Sequence, residues 1–265
     1  MSTSQPVTGW QRSVVITADR FLYWFSRHWL AVFNVVAAVY VGLPFLAPVL
    51  MAAGWTGPGR LIYTLYKPMC HQMAFRSFFL FGEQYAYPRE MAGLELRPLE
   101  SYVGQLPEFA GISPDNTGQL FAAARQFLGN AQMGYKLALC ERDIAIYGFV
   151  LIGGLLYGLL RRWFHIKPLR LLPFIVIGMG PIGLDGFSQL FGYWPSLFND
   201  LGIAGLATFL QSIFPLREST PLLRVLTGGW FGLTLVWLVY PSIADGMAET
   251  AQELEVKLRR IGVLK

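Results

Sequence analysis

Four long apolar runs constrain this chain more than any other feature of its sequence. A helix needs about 20 mostly apolar residues to cross the hydrocarbon core of a bilayer. Segments that reach or approach this length are 29–53, 144–160, 171 to about 184, and 222–240. Only 14% of the 265 residues are charged, against about 25% in an ordinary soluble domain. The sequence therefore predicts an all-α fold, a polytopic membrane bundle of about four transmembrane helices plus interfacial helices.

Positive charge in the short loops predicts how these spans are oriented. Residues 161–170 contain four Lys or Arg, and further cations precede the first span and follow the last. Short loops rich in Lys and Arg lie on the cytoplasmic side. We expect a multi-pass protein of the cell membrane with both termini in the cytoplasm. We attribute the net charge of +5 to the cations that orient the spans. We expect no nucleic-acid partner, because the sequence has no basic patch interleaved with aromatic residues.

The chain divides by this reasoning into three parts. These are a cytoplasmic N-terminal segment (1–28), a membrane domain (29–243) with a long extracytoplasmic loop over about 54–143, and a cytoplasmic amphipathic tail (244–265). Within the long loop, 59–81 predicts an interfacial or re-entrant helix. Residues 115–128 predict an amphipathic helix with Asp115 as its N-cap. Residues 85–113 and 185–221 are expected to form loops.

Glycine and proline inside the spans predict where helices approach and bend. Pro44 and Pro48 are expected to kink the far end of the first span. Gly228 and Gly232, and likewise 154 and 158, have the small-xxx-small spacing that allows close approach of two helix backbones.

Unusual polar residues gather at one predicted membrane face, at the outer ends of spans two to four and in the long loop. Ionisable groups at membrane depth are costly and usually face a bundle interior or a cavity. We therefore expect one shared polar pocket. Its candidate members are Cys70, His71, Arg76, Cys140, Arg142, Asp143, Asp185, Gln189, Arg217 and Arg224.

Four motifs that contain these residues resemble the DUF2085 membrane proteins of bacteria and archaea. They begin at Cys70-His71-Gln72, at 134 (GYKLALCERDIAIYG), at 181 (PIGLDGFSQ) and at 217 (REST). The resemblance extends from about residue 63 to the end of span four, and it implies a membrane architecture and a residue set without an activity. Many relatives have Cys-x-x-Cys where this chain has Cys140-Glu-Arg-Asp143. That replacement is compatible with a metal site but not with a Cys-x-x-Cys redox centre.

The two cysteines have three readings. Cys70 and Cys140 could form a structural disulfide, which an extracytoplasmic face permits. With His71 and Asp143 they could instead bind zinc or another divalent transition metal, because these are the ligand types that zinc prefers. The third reading is a pair of free thiols, buried or acting in redox chemistry with a partner.

Asp185 with Arg217 or Arg224 has two readings. One is a buried ion pair that fixes the packing of spans three and four. The other is a catalytic or cation-facing carboxylate beside arginines that hold an anionic head group. The arginines at 76, 142, 217 and 224, with Gln189, would suit a lipid phosphate, because guanidinium binds phosphate through two parallel hydrogen bonds.

The sequence thus favours a membrane protein with a metal- or lipid-head-group-binding site, acting on a lipid-linked phosphate if it is an enzyme. The rival is a structural or accessory subunit of a larger membrane complex, or of a homo-oligomer, in which these residues only hold the bundle together.

Overall fold

The structure is a computed structural model that describes residues 9–113 and 117–264. Its helices are α1 (Trp10–Ala52), α2 (Thr56–Tyr66), α3 (Thr117–Gln126), α4 (Glu141–Leu160), α5 (Leu171–Pro173), α6 (Gly180–Gly192), α7 (Trp194–Asp200), α8 (Ala204–Ile213) and α9 (Pro221–Arg260). A π-helical segment, Phe174–Met179, connects α5 to α6. The strands are β1 (Phe79–Leu80), β2 (Gly129–Asn130) and β3 (Gly134–Lys136).

Long apolar helices dominate this architecture, which confirms the predicted all-α membrane bundle. Helices long and apolar enough to cross a membrane are Trp10–Ala52, Glu141–Leu160, Leu171–Ser196 and Pro221–Arg260. The most extensive contact joins α4 to α9, and α1 packs against both. The 43 residues of α1 extend about 65 Å, roughly twice the hydrocarbon thickness. The first and last helices therefore project beyond a bilayer, and their projecting parts are joined by an ion pair of 2.7 Å between Asp19 and Lys257.

Several predicted boundaries differ from the observed ones. The predicted borders at 28/29 and 243/244 fall inside the continuous helices α1 and α9, so they remain predictions about where the membrane surface lies. The helix predicted for 59–81 ends at Tyr66, because Pro68 cannot continue the helical hydrogen bonds. The loop predicted for 185–221 is wrong over much of its length, since α6 continues to Gly192 and α7 and α8 follow. The N-cap predicted at Asp115 lies outside the described residues.

The segment between α1 and α4 has a core of its own. Its sheet is antiparallel in the order β1-β3-β2. The stretch 85–113, predicted as a surface loop, is irregular as expected, with short 3-10 turns, but it also contributes buried side chains. Members of this core include Phe75, Phe79, Tyr87, Leu99, Tyr102, Phe109, Leu120 and Phe127. These contacts let a mostly irregular segment pack as a unit on the ends of the spans where α1 ends and α4 begins. Because we expect this segment outside the cytoplasm, we call it the outer segment.

Prolines within α1 attach this outer segment to the bundle. A proline has no N–H, so the carbonyl four residues earlier loses its helical donor. Pro44 frees the carbonyl of Tyr40, which accepts a hydrogen bond of 2.7 Å from the Tyr66 hydroxyl. Pro48 frees the carbonyl of Pro44, which accepts one of 3.3 Å from the Ala138 N–H. A buried carbonyl without a donor is costly in an apolar medium, so each proline creates an attachment point.

The same arrangement recurs in the other long helices. Pro181 frees the carbonyl of Ile177, which accepts a hydrogen bond of 2.6 Å from the Trp230 indole. Pro241 frees the carbonyl of Trp237, which accepts one of 3.2 Å from the Leu169 N–H. These bonds connect the third span to α9 and fix the loop that precedes α5.

Glycines on α9 bring it against α4, as their spacing predicts. A Cβ at Gly228 would lie 2.8 Å from the Arg142 carbonyl oxygen. A Cβ at Gly232 would collide with the carbonyl oxygen of Ile146. Only glycine permits this approach, and the approach brings the polar start of α4 next to the polar start of α9.

Candidate functional site

The start of α4 gathers three of the predicted metal ligands. Cys140 is the N-cap of α4, and Asp143 lies in its first turn. Cys70 comes from the segment after α2. The two sulfur atoms and a carboxylate oxygen of Asp143 all lie within 4.8 Å of one another. Residues separated by 70 positions in the sequence therefore form one cluster of soft and hard ligands.

The sulfur of Cys70 is the better hydrogen-bond acceptor of the two. It accepts from the N–H of Gln72 at 3.4 Å and from the N–H of Cys140 at 3.3 Å. Such donors favour the thiolate, which is the metal-binding form of cysteine. The hydrogen bond with Cys70, followed by burial, raises the pKa of the Cys140 thiol well above its usual value. Both cysteines are free thiols in the structure.

Gln72 holds the Cys70 segment in place. Its backbone is left-handed, with φ at 52°. Its side-chain amide donates to the carbonyls of Tyr63 and Ala138, each at 2.9 Å. Its own carbonyl accepts a hydrogen bond of 2.5 Å from Lys136 Nζ. The turn is thus fixed to α2 on one side and to the approach to α4 on the other.

Lys136 is completely buried beneath this turn. Its Nζ also donates to the carbonyls of Ala124 and Arg125, at 3.2 and 3.0 Å, so three acceptors match the three donors of an ammonium group. Burial lowers the pKa of Lys136 to about 7. This lysine connects α3 and β3 to the Cys70 turn.

A cavity of about 520 Å³ opens beside the cysteines. His71 is exposed and lies on its wall, but it is not part of the cluster formed by Cys70, Cys140 and Asp143. The structure therefore brings together three of the four predicted ligands. Other predicted site residues on the cavity wall are Arg76, Arg142, Gln189 and Arg224.

Asp185 is the centre of one polar network behind the cavity. It is 4% exposed and pairs with Arg142 and, at 3.2 Å, with Arg217. The Ser219 hydroxyl donates to it at 2.9 Å, and the Gln189 amide donates to its backbone carbonyl at 2.9 Å. The predicted pairing of Asp185 with Arg217 is confirmed.

Glu218 is the centre of a second network, which contains Arg224. Arg76 donates two hydrogen bonds to it, of 2.7 and 3.0 Å, and the Tyr193 hydroxyl donates one of 2.7 Å. Arg224 pairs with Glu218 and, at 2.9 Å, with Glu141. Burial alone would raise the pKa of Glu218, but the charges of Arg76 and Arg224 lower it overall.

Of the two alternatives for the partner of Asp185, Arg224 is not used, because Glu141 on α4 and Glu218 just before α9 take its donors. Sequence reasoning left Glu141 and Glu218 out of the candidate site, although both are almost fully buried. The sequence did contain a signal for both residues. Each glutamate lies next to an arginine inside one of the four motifs, and charged residues are rare in this chain. Four arginines share three carboxylates in these two networks, so one positive charge remains in excess.

Two buried polar atoms, in residues that line the cavity, lack partners within the part of the chain that the structure describes. They are Oε1 of Gln72, an acceptor, and Nε of Arg142, a donor. Unpaired buried polar atoms are costly, and both atoms are closed to solvent, so a ligand in the cavity would reach them only after the wall shifts.

Comparisons with known proteins agree with a membrane protein. The family described as "Predicted membrane protein (DUF2085)" matches residues 130–238. The predicted resemblance is therefore confirmed over that segment, which excludes the Cys70 motif. An uncharacterized protein of Methanocaldococcus jannaschii is 23% identical over 224 residues, covering 82% of this chain and 92% of that protein. No solved structure matches the chain.

Proposed function

Since residues 130–238 match the DUF2085 family of membrane proteins, we propose that this integral membrane protein binds a transition-metal ion, zinc in the first instance, through Cys70, Cys140 and Asp143. The observation that carries the proposal is the approach of their three ligand atoms to within 4.8 Å of one another. Sulfur ligands of a tetrahedral zinc ion lie about 3.7 Å apart, as follows from a Zn–S distance of about 2.3 Å. A small contraction of the cluster would therefore reach zinc geometry.

The chemistry of the surroundings supports this reading. The N–H donors on Cys70 stabilise a thiolate, and the first turn of α4 offers the positive end of a helix dipole to an anionic cluster. Three protein ligands leave one position open, as in catalytic zinc sites. That position would face the cavity, where His71 offers a further nitrogen ligand.

The test is metal content and thiol count on the full chain purified in mild detergent. We expect about one zinc ion per chain, lost in Cys70→Ser and in Cys140→Ser. Asp143→Asn is expected to weaken zinc binding by at least about tenfold, since even outer-shell changes cost 10–100-fold. Asp245→Asn, a carboxylate change at a distant site, is the matched control. Cobalt substitution adds a readout that does not depend on activity, because thiolate-to-cobalt charge transfer reports sulfur ligation directly.

Two outcomes would contradict the metal site. Absence of both metal and free thiol would mean that Cys70 and Cys140 form a disulfide, which favours the structural-subunit alternative. Absence of metal with two titratable thiols would leave a pair of reduced cysteines that only pack. Thermal unfolding of each variant separates loss of a ligand from loss of the fold.

A second candidate function is the binding of an anionic head group, including a lipid-linked phosphate. It is supported by the excess positive charge of the two networks and by the presence of Arg76, Arg142 and Arg224 among the residues that line the cavity. Every arginine of the two networks already pairs with a carboxylate. These arginines would therefore bind an anion only by sharing their N–H donors between that carboxylate and the anion. Asp185 is the candidate catalytic residue of this alternative. Because Asp185 pairs with both Arg142 and Arg217, its carboxylate is better suited to position these arginines than to act as an acid or base.

This candidate has its own test. Phosphate or a short-chain lipid phosphate should raise the thermal unfolding temperature of the full chain, and Arg142→Gln should abolish that increase. An equal increase in the unfolding temperature of Arg142→Gln would contradict this candidate function.

We further propose the orientation that the basic loop implies, with the cavity on the extracytoplasmic side of the cell membrane and both termini in the cytoplasm. Cysteine-accessibility labelling from either side of the membrane would test it.

A further inference from the structure

The loop between α4 and α5 is a strongly basic segment of the chain. Residues 161–170 contain Arg161, Arg162, Lys167 and Arg170 together with His165, and they contain no acidic residue. All five of these side chains are exposed. Orientation of the spans explains why the loop is basic. It does not explain how the loop is held.

The loop is fixed to α9 by a pair of hydrogen bonds around one residue. The Leu169 N–H donates to the Trp237 carbonyl, freed by Pro241, at 3.2 Å. The Trp237 indole donates in return to the carbonyl of Lys167 at 3.1 Å. Ile166 packs against the apolar core between α1, α4 and α9. The cations are therefore presented from an ordered backbone.

A cavity of about 360 Å³ lies between this loop and α9. Arg161, Arg162 and His165 line its basic side, and Asp245 is the acidic residue among the lining residues. The guanidinium carbon of Arg161 lies 5.9 Å from the centre of the Tyr157 ring, which directs it along the helix surface. The cavity thus combines concavity with an excess of positive charge.

Exposed aromatic residues place this cavity at the level of lipid head groups. Trp163 is 66% exposed and Phe164 is 63% exposed. They directly follow the apolar helix α4, where aromatic residues mark the boundary between membrane and water. A free anion would gain nothing from them, whereas a lipid would pack its glycerol and upper acyl chains against the rings.

We propose that residues 161–170 and the facing part of α9 bind the phosphate of an anionic phospholipid, such as phosphatidylglycerol, from the adjoining leaflet. Arg161 and Arg162 supply the charge and the hydrogen bonds, and Trp163 and Phe164 contact the apolar part of the lipid. Basic pockets next to spanning helices are suited to such head groups. This site is separate from the cysteine cavity and does not depend on the proposed metal.

Native mass spectrometry of the full chain in detergent, with added phosphatidylglycerol or phosphatidylcholine, tests the proposal. Wild type should retain phosphatidylglycerol in preference to phosphatidylcholine, and less of it as salt increases. The double variant R161Q/R162Q should bind phosphatidylglycerol about 25-fold more weakly, at about fivefold for each charge. The matched control R12Q/R20Q removes two exposed arginines of α1 and should retain the lipid as wild type does.

Three outcomes would overturn the proposal. They are equal retention of the two lipids, unchanged retention in R161Q/R162Q, and equal losses in the two double variants, which would show general charge attraction. A further arm adds inorganic phosphate at millimolar concentration. Displacement of the lipid by phosphate would show that the loop is a simple anion site, and continued retention is expected. Unfolding temperatures near that of wild type in both variants establish that the fold is intact.

Discussion

The guanidinium group of Arg224 donates a hydrogen bond of 2.9 Å to the carboxylate of Glu141, across the contact between α9 and α4. Both side chains are almost fully buried, at 2% and 1% exposure. The close approach at Gly228 makes this contact, because it lets the two helix starts meet. A buried pair of this kind is costly to form but more costly to break.

Arg224→Met is therefore expected to destabilise the protein by about 3–5 kcal/mol, because Glu141 and Glu218 lose a shared partner. Equilibrium unfolding in mixed micelles measures this loss. In a Glu141→Gln background the same substitution should cost less, because one of the two carboxylates is already neutral. Arg217→Met is the control, since its side chain is 40% exposed and Asp185 keeps Arg142, so a loss below about 1 kcal/mol is expected. Equal losses in both backgrounds would contradict coupling between Arg224 and Glu141.

Pro48→Ala should loosen the attachment of the outer segment. The new N–H at position 48 competes for the Pro44 carbonyl, which now accepts from Ala138. We expect faster amide hydrogen exchange at Ala138, measured by mass spectrometry, although α1 itself gains a helical hydrogen bond. Pro241→Ala is the matched control, because it should speed exchange at Leu169 and leave Ala138 unchanged. Identical exchange at Ala138 in Pro48→Ala and wild type would refute this account.

Gly232→Ala should separate α4 from α9, because the added methyl group collides with the backbone of Ile146. Overpacking of this kind typically costs about 1–3 kcal/mol, and thermal unfolding in detergent would report it. Gly148→Ala adds the same methyl group on α4, where no atom of the described residues outside the helix itself lies within 4 Å. That control should be neutral or slightly stabilising, since alanine is the better helix former. A control that lost as much stability as Gly232→Ala would count against the contact.

Lys136 should make stability depend on pH. Burial lowers its pKa to about 7, whereas an unfolded lysine titrates near 10.4. Between these values the unfolded chain binds more protons, so stability should rise with pH across that window, by at most about 1.4 kcal/mol per pH unit. Unfolding at several pH values from 6.5 to about 10 measures the slope, and Lys136→Met should reduce it. Lys167→Met removes an exposed lysine and should keep the slope. A slope that Lys136→Met leaves intact would refute the assignment.

Much of the fold follows from local properties of the sequence. The apolar runs predicted four spans, and the glycine spacing at 228 and 232 predicted a close helix contact; both are properties of one segment at a time. The prediction of secondary structure failed where local sequence preferences compete with contacts between distant segments. Residues 185–221 were assigned to a loop because their polar residues and prolines interrupt the apolar pattern. The chain nevertheless continues α6 to Gly192, because Asp185 is satisfied by Arg142 of α4 and Gln189 by Arg224 of α9.

The sequence by itself determined which segments are apolar enough to enter the membrane and which polar residues have to gather at the ends of those segments. Only the tertiary structure decided the partners. Arg224 pairs with Glu141, 83 positions away, and not with Asp185, and Cys70 approaches Cys140 while His71 turns outward. The physical reason is that hydrophobicity acts on each segment independently. An ion pair, a ligand cluster or a hydrogen bond to a proline-freed carbonyl instead requires that two segments distant in the sequence meet at the correct distance and angle.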